Sequence, residues 1–452
     1  MKPSLTALAA GLLLGGAGLA QAAITEEQAR QLGSSLTAIG AEKDGNADGS
    51  IPAYAGGLTT PPAGFRAGAV KRPDPFAGEK PVLSVNSANA GQYEAQLTEG
   101  SKALLKRFPS SFRIDVYPTH RTVAFPPRIL DNTRKCATTA RLSNNGNSLE
   151  GARACIPFPI PKDGQEAIWN HKMRYPGLNL RLSYEAYNVD ASGRATLSSA
   201  ANYNTSYPYH DPKASNPKLY ELIGIEYTAP ARRAGEKLLV HEPIDDVNVG
   251  RRAWQYLPGQ RRVRLAPDIA YDTPNPTTAG ASTYDDAFIF NGAIDRYDWK
   301  LLGKKEMFVP YNTYRFTYFA TPAEALKPGH VNPDVLRWEK HRVWVVQATL
   351  KPGKRHIYSK RTFYLDEDSW MALASEEYDA RGQLYRLGYA FMVPNYDQGG
   401  TPFTDSYMHY DLIARLYAIA TWPACARCGV KFVDKFPSST FTPDGLAGSG
   451  VR

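Results

Sequence analysis

Few residues in this chain stand at spacings that do chemistry, and they point in different directions. Asp44-Gly45-Asn46-Ala47-Asp48-Gly49-Ser50-Ile51 matches the first half of a calcium loop, with oxygen donors at alternate positions, Gly at the sixth and Ile at the eighth. The twelfth position is Ala55, where a bidentate Glu belongs, and Pro52 blocks a normal exit helix. Asp44, Asn46 and Asp48 are thus metal candidates set against a plain Asx/Gly turn. Cys425-Ala426-Arg427-Cys428 has redox spacing, but it lacks a strand-then-helix setting, and Gly429 stands where haem attachment needs His. A second acidic group, Asp285, Asp286, Asp295 and Asp298, lies in a long loop and reads either as a metal site or as solvated carboxylates. Glu376 and Glu377 are neighbours on an expected strand and point apart. The eight His are scattered, and His171 reads as a satisfied helix residue. No G-x-S-x-G and no H-E-x-x-H occurs. The reading is a non-catalytic protein without a cofactor.

The first residues set the compartment. Lys2 precedes an apolar run from Leu5 to Leu19, and Ala20-Gln21-Ala22 is an A-x-A cleavage signal, so residues 1–22 read as a cleaved leader. No Cys follows the cleavage point, which argues against a lipid anchor, and the expected location is the periplasm. Net charge is +9, with the basic residues mostly dispersed. Export argues against a nucleic-acid partner. In an oxidising compartment Cys136, Cys155, Cys425 and Cys428 read as disulfides. Four cysteines allow three pairings. One of these closes a modest loop between Cys136 and Cys155 and a tight bridge between Cys425 and Cys428.

The elements that must position these residues are mostly strands. Trp338 to Tyr396 alternates apolar and polar residues between turns at Lys351-Pro352-Gly353-Lys354, Asp366-Glu367-Asp368-Ser369 and Asp379-Ala380-Arg381-Gly382. In the last of these strands Tyr385, Leu387, Tyr389 and Phe391 form a greasy face, and Leu384, Arg386, Gly388 and Ala390 a mixed one. Upstream, hairpins are expected over 184–203, 219–241 and 252–265, with further strands over 299–308 and 314–318. Short helices are expected from Thr25 to about Ile39, over 89–97 and 98–108, and from Gly164 to Tyr175. A short amphipathic piece is expected over 407–418. Residues 55–82 read as an extended Pro/Gly arm. The expected division is residues 23–110 as N-terminal helices and arm, 111–396 as an antiparallel β body with inserted helices, and 397–452 as a C-terminal helix, Cys pair and polar tail.

Several stretches carry a family resemblance. Gly40-Ala41-Glu42-Lys43 with the Asp44 turn, Asp74-Pro75-Phe76, Ile156-Pro157-Phe158-Pro159-Ile160-Pro161 leading to Glu166-Ala167-Ile168-Trp169-Asn170-His171, and Arg251 through Arg264 resemble the Gram-negative envelope family called domain of unknown function 1329. The resemblance spans nearly the whole mature chain and brings no assigned reaction. The stretch from Arg361 to Leu384 is more distantly similar to the LolA/LolB-like lipoprotein carriers. That likeness implies an α+β fold, mostly antiparallel β, forming a curved incomplete barrel with a helical lid. Membership of the domain of unknown function 1329 family would also imply transport across the envelope as the setting, alongside resistance-nodulation-division-type exporters and an outer-membrane protein.

The expected role is a periplasmic carrier or adaptor for a hydrophobic molecule or lipid. Trp254, Tyr256, Trp344, Phe363, Tyr389 and Phe391 are the candidate wall residues. Competing readings are an assembly partner of an exporter or outer-membrane protein, and a lipid or glycan hydrolase.

Overall fold

The computed structural model describes residues 24–267, 269, 271–404 and 406–448; the expected leader lies outside them. A single helical turn, α1 (Glu26–Ala29), opens the described chain with a Thr25/Gln28 capping box, shorter than the helix expected to Ile39. An extended arm follows, then β1 (Leu83–Val85), a 3₁₀ turn over Ala90–Gln96, α2 (Glu99–Arg107) capped by Thr98, and β2 (Ile114–Val116). Helix α3 (Pro127–Thr139), the small hairpin β3 (Arg141–Ser143) and β4 (Ser148–Glu150), and α4 (Gly164–Lys172) precede the main strands. These strands are β5 (Asn179–Val189), β6 (Ala195–Ser206), β7 (Leu219–Ala229), β8 (Lys237–Pro243), β9 (Arg252–Leu257), β10 (Arg262–Leu265) and β11 (Tyr297–Pro310). A short helix α5 (Pro322–Ala325) and the two-residue strands β12 (Leu326–Lys327) and β13 (His330–Val331) interrupt them. Then come β14 (Trp338–Leu350), β15 (Lys360–Asp366), β16 (Ala372–Tyr378), β17 (Leu384–Ala390), β18 (Tyr407–Asp411), β19 (Leu416–Trp422), β20 (Gly429–Phe432) and α6 (Pro443–Gly448).

Turn chemistry fixes the register of these strands. In the β5–β6 hairpin the Asp190 carboxylate accepts N–H groups from Ser192 and Arg194, and Gly193 takes the positive φ of 84° that the turn requires.

Sixteen strands form one sheet, and fourteen of them follow the order β1-β2-β14-β15-β16-β17-β18-β19-β5-β6-β7-β8-β9-β10. β11 pairs with the outer side of β14, and β20 takes the rest of the β5 edge beside β19. All of these pairings are antiparallel except the single β2–β14 contact. The end strands do not pair with each other, so the sheet is a curved, incomplete barrel of mostly antiparallel β with a few helices. Its inner face is filled by α4 and by the loop between β10 and β11. This filling layer touches both halves of the sheet: Phe290 meets Trp299 and Phe363 on one side, while Lys172 of α4 pairs with Asp246 just after β8 on the other.

The opposite face of β16–β17 is covered by α2. Gly100 there brings the helix backbone against Leu387, and a Cβ at that position would lie 3.0 Å from the Leu387 Cβ. Phe436, Phe441 and Leu446 from the C-terminal segment cap Leu239 and Tyr256.

Three expectations are corrected, and one element is new. Residues 407–418 are not an amphipathic helical piece. They belong to β18 and β19, split at Asp411, whose carboxylate accepts the N–H groups of Ile413 and Ala414 and turns the chain. The domain expected to begin at 397 with a helix therefore contributes two strands to the middle of the sheet. Tyr314 to Tyr318 is not a strand. Its aromatic composition reads as β, but the Ala320 N–H closes back on the Arg315 carbonyl in a π turn that buries Phe316, Thr317 and Tyr318. Helix α3 went unforeseen because Asn, Thr and Cys dilute its pattern, although Pro127 at its first position was a legible start signal. Its Cys136 bonds Cys155, and Cys425 bonds Cys428.

Candidate functional site

Alternation along the strands sends Tyr184, Tyr203, Ile223, Tyr227 and Val240 inward from β5–β8, onto the concave face. Together with Tyr407 of β18 and Phe288 of the loop, they line a cavity of about 110 Å³ that opens on one side. Phe288 is the roof: its ring packs edge-on against Tyr203 and Tyr407. One corner is polar. Arg251 Nε lies 2.7 Å from a Glu242 oxygen, and Arg251 also donates to the Asn291 carbonyl. Burial pushes the Glu242 carboxyl up to about 7 in spite of Arg251. The cavity is thus apolar around most of its wall, with one ion-paired end.

Next to it, across the same face, runs a row of alternating charge. Arg361 on β15, Glu377 on β16, Arg386 on β17 and Asp411 on β18 are successive cross-strand partners. The roof loop anchors here. Asp286 Oδ1 accepts from Arg361 Nη2 at 2.6 Å. Its Oδ2 accepts from the Tyr358 hydroxyl at 2.8 Å and from the Thr283 N–H at 2.7 Å. Asp285 Oδ2 faces His356 Nε2 at 3.0 Å and Arg361 Nη1 at 3.2 Å. Arg386 binds Asp411 at 3.1 Å, the Tyr358 hydroxyl at 2.9 Å and the Gly280 carbonyl at 2.6 Å. Burial alone would raise the Asp285 carboxyl, but Arg361 and His356 outweigh it and hold it well below the usual carboxylate range.

Glu377 and His409 differ from these neighbours. Both are fully buried, and no carboxylate oxygen of Glu377 and no ring nitrogen of His409 makes a hydrogen bond of good geometry. Burial, reinforced by the charge of Asp286, pushes Glu377 up to about 8. Burial brings His409 down to about 4. One oxygen each from Asp286 and Glu377 and one His409 nitrogen lie within 4.8 Å of one another.

A second convergent set, His341, Asp366 and Asp368, lies under the N-terminal arm. Arg121 binds both Asp368 oxygens at 2.9 and 2.7 Å, and His341 Nε2 meets Glu339 at 3.0 Å. Ser369 and Tyr311 hydroxyls donate to Asp366. Arg342 and Lys304 hold the adjacent Glu367. Arg121 and Arg342 also grip arm carbonyls of Lys43, Pro52 and Asp44. This set clamps the arm to the body.

The six aromatic residues proposed from sequence as cavity wall lie elsewhere. Trp254 stacks edge-on with His241, and Tyr256 sits in the satellite core with Phe436 and Phe441. Trp344 stacks on Trp370, Phe363 on Trp299, and Phe391 on Phe316. Tyr389 bonds Ser101 of α2 at 2.7 Å. Each found a packing partner among other aromatics or a helix, which left none of them on the cavity. The metal candidates have protein partners of their own. Asp48 accepts from the Lys340 ammonium at 2.8 Å and from Ser50, Asn46 bonds Ser50 and Glu306, and Asp44 offers only its carbonyl, to Arg342. The Lys340 ammonium neutralises Asp48.

Of the acidic loop residues, Asp285 and Asp286 are buried and paired, not solvated. Asp295 bonds Tyr271 and the lysines at 351 and 354, and Asp298 is exposed on β11. His171 is satisfied as expected, between the Phe290 carbonyl and the Ala372 N–H. Sequence reading missed Arg361, Arg386, His356 and His409. The available signal was the mixed face itself, where Arg386 stands two residues from Gly388.

Comparison with known proteins gives the lineage. The signature described as "Protein of unknown function (DUF1329)" matches residues 84–447. The chain is 42% identical over 440 residues to "Uncharacterized protein PA3922" of Pseudomonas aeruginosa, with 95% of each covered. Among solved structures it is similar to a putative outer membrane lipoprotein-sorting protein domain from Vibrio parahaemolyticus. That match has 14% identity and a TM-score of 0.43, and covers 63% of this chain and 98% of that one. A DUF1329 family protein from Desulfovibrio piger matches with 14% identity and a TM-score of 0.41, covering 60% and 92%. A LolA superfamily protein from Nitrosomonas europaea matches with 12% identity and a TM-score of 0.37, covering 63% and 99%. With the signature running through the sheet, the roof loop and the C-terminal cap, and a relative aligned along nearly its whole length, the chain belongs to the DUF1329 family.

Proposed function

We propose that this protein is a non-catalytic envelope carrier that holds a hydrophobic molecule with one polar end. The observation that carries this reading is the tyrosine-lined cavity under Phe288. Its wall offers broad apolar ring surface, and its single polar corner, at Arg251 and Glu242, suits a headgroup. The cavity measures about 110 Å³ and opens on one side, so a long acyl chain would extend through its mouth or displace the roof loop. Leader-directed export belongs to the same proposal. So do the exporter and outer-membrane partners that the family resemblance implies, as donor and acceptor of the cargo.

The test is native mass spectrometry of protein isolated without detergent, followed by solvent extraction. It is paired with titration of a fluorescent fatty acid into wild type and Ile223→Trp, which fills the cavity. A stoichiometric acyl or terpenoid-like mass, and binding lost in the folded variant, are the expected results. A clean apo mass together with no probe binding by wild type would overturn the carrier reading.

A further inference from the structure

The buried pair Glu377 and His409 takes no part in the cavity, and its surroundings point to a ligand of different chemistry. Ser375, Gly388 and His409 are cross-strand partners on β16, β17 and β18, one step along from Glu377, Arg386 and Asp411. Only glycine fits at position 388. A Cβ there would lie 2.7 Å from Ser375 Oγ and 2.9 Å from His409 Nε2. The glycine therefore lets Ser375 and the His409 ring close in over its strand at the centre of the inner face. Glu377 and His409 converge there from the sheet, and Asp286 reaches them from the roof loop.

Burying an unpaired carboxylate beside an unpaired imidazole is costly, and folded proteins supply such groups with a partner. Around these donors three carboxylates (Asp285, Asp286 and Asp411) face two guanidiniums (Arg361 and Arg386), and burial keeps Glu377 protonated unless a cation offsets it. A dication held by the three donors would keep Glu377 ionised and give the His409 nitrogen a partner. One imidazole and two carboxylates are the donor set of zinc, manganese or ferrous iron; calcium and magnesium prefer oxygen alone. Ligands of a tetrahedral zinc lie about 3.4 Å apart, so donor atoms already within 4.8 Å need only a small contraction.

We infer that Glu377, His409 and Asp286 form a binding site for a divalent transition-metal ion that ties the roof loop to the middle of the sheet. The proposal is independent of any cargo in the cavity.

The test uses the full mature chain. Elemental analysis of protein purified without chelator comes first. The protein is then unfolded with its disulfides intact in guanidinium and chelator, and refolded with cobalt. Close to one ion per chain and visible cobalt absorption, displaced by zinc, are the expected results. His409→Gln and Gly388→Ala should each lose the ion, whereas Asp366→Asn, in the other convergent set, should keep it. Wild type that neither carries an ion nor binds cobalt on refolding overturns the proposal, whatever the variants do. Cobalt binding that survives in folded His409→Gln, or that is lost in Asp366→Asn, overturns it equally.

Discussion

The cluster under the roof loop and the cluster under the N-terminal arm are built from the same residue types. Each sets arginines against buried aspartates and glutamates, and each includes a histidine. Under the arm, three cations (Arg121, Arg342 and Lys304) share Glu367, Asp368 and Glu42, and His341 has Glu339; a single Asp366 oxygen is left over. Under the roof loop both oxygens of Glu377 and both nitrogens of His409 are left over. The arm cluster is a completed fastening between two parts of one chain. The loop cluster is a fastening with room for something further. Charge count alone does not separate structure from site here; the hydrogen-bond inventory of each side chain does.

The largest effect that can break this comparison comes from the arginines. Arg361→Met strands Asp285 and Asp286 in the interior and should lower stability by about 3–5 kcal/mol in urea denaturation. Arg121→Met should cost less, because the arm can swing away and let water reach Asp368, and protease should then cut the arm before the body. Equal losses without arm cleavage would mean that the two clusters are equivalent. A smaller effect follows from protonation. Burial and the charge of Asp368 push Asp366 up to about 7, and His341, Ser369 and Glu367 face it as well. Being neutral in the fold but ionised in the unfolded chain, Asp366 adds stability at low pH. That contribution is lost as pH rises from 3.8 to about 7, at up to ~1.4 kcal/mol per pH unit. Asp366→Asn should flatten that slope; an unchanged slope would place the titration elsewhere. The smallest expected effect is none. Added calcium should leave the thermal midpoint unmoved, since Lys340 already neutralises Asp48. A reproducible rise that disappears in Asp48→Ala would restore the calcium loop.

Much of the fold was legible because strand alternation and turn chemistry are local. The hairpins near Asp190 and Gly259 and the four strands from Trp338 onward stand close to where the pattern puts them. The site was less legible for a physical reason. Aromatic residues on the greasy face, such as Tyr389 and Phe391, advertise a ligand wall, yet apolar rings are also what helices pack upon, and α2 took that face. The mixed face reads as solvent-facing when a strand is viewed alone. Arg361, Glu377, Arg386 and Asp411 become a buried row only after four strands align, and alignment depends on pairings across the whole chain. Likewise, Tyr184 and Tyr407 lie far apart in sequence, and only the β19–β5 junction brings them to one cavity.

That junction also constrains how the molecule can be made. The β5–β10 meander emerges first during synthesis, yet the free edge of β5 is closed only by β19 and β20, roughly two hundred residues later. Until then one edge of an eleven-residue strand, already paired with β6 on its other side, waits in the open. A holding chaperone, or passage across a membrane in an unfolded state, would cover that interval. Chains truncated before residue 416 should therefore self-associate through β5 and fail to rest as stable halves.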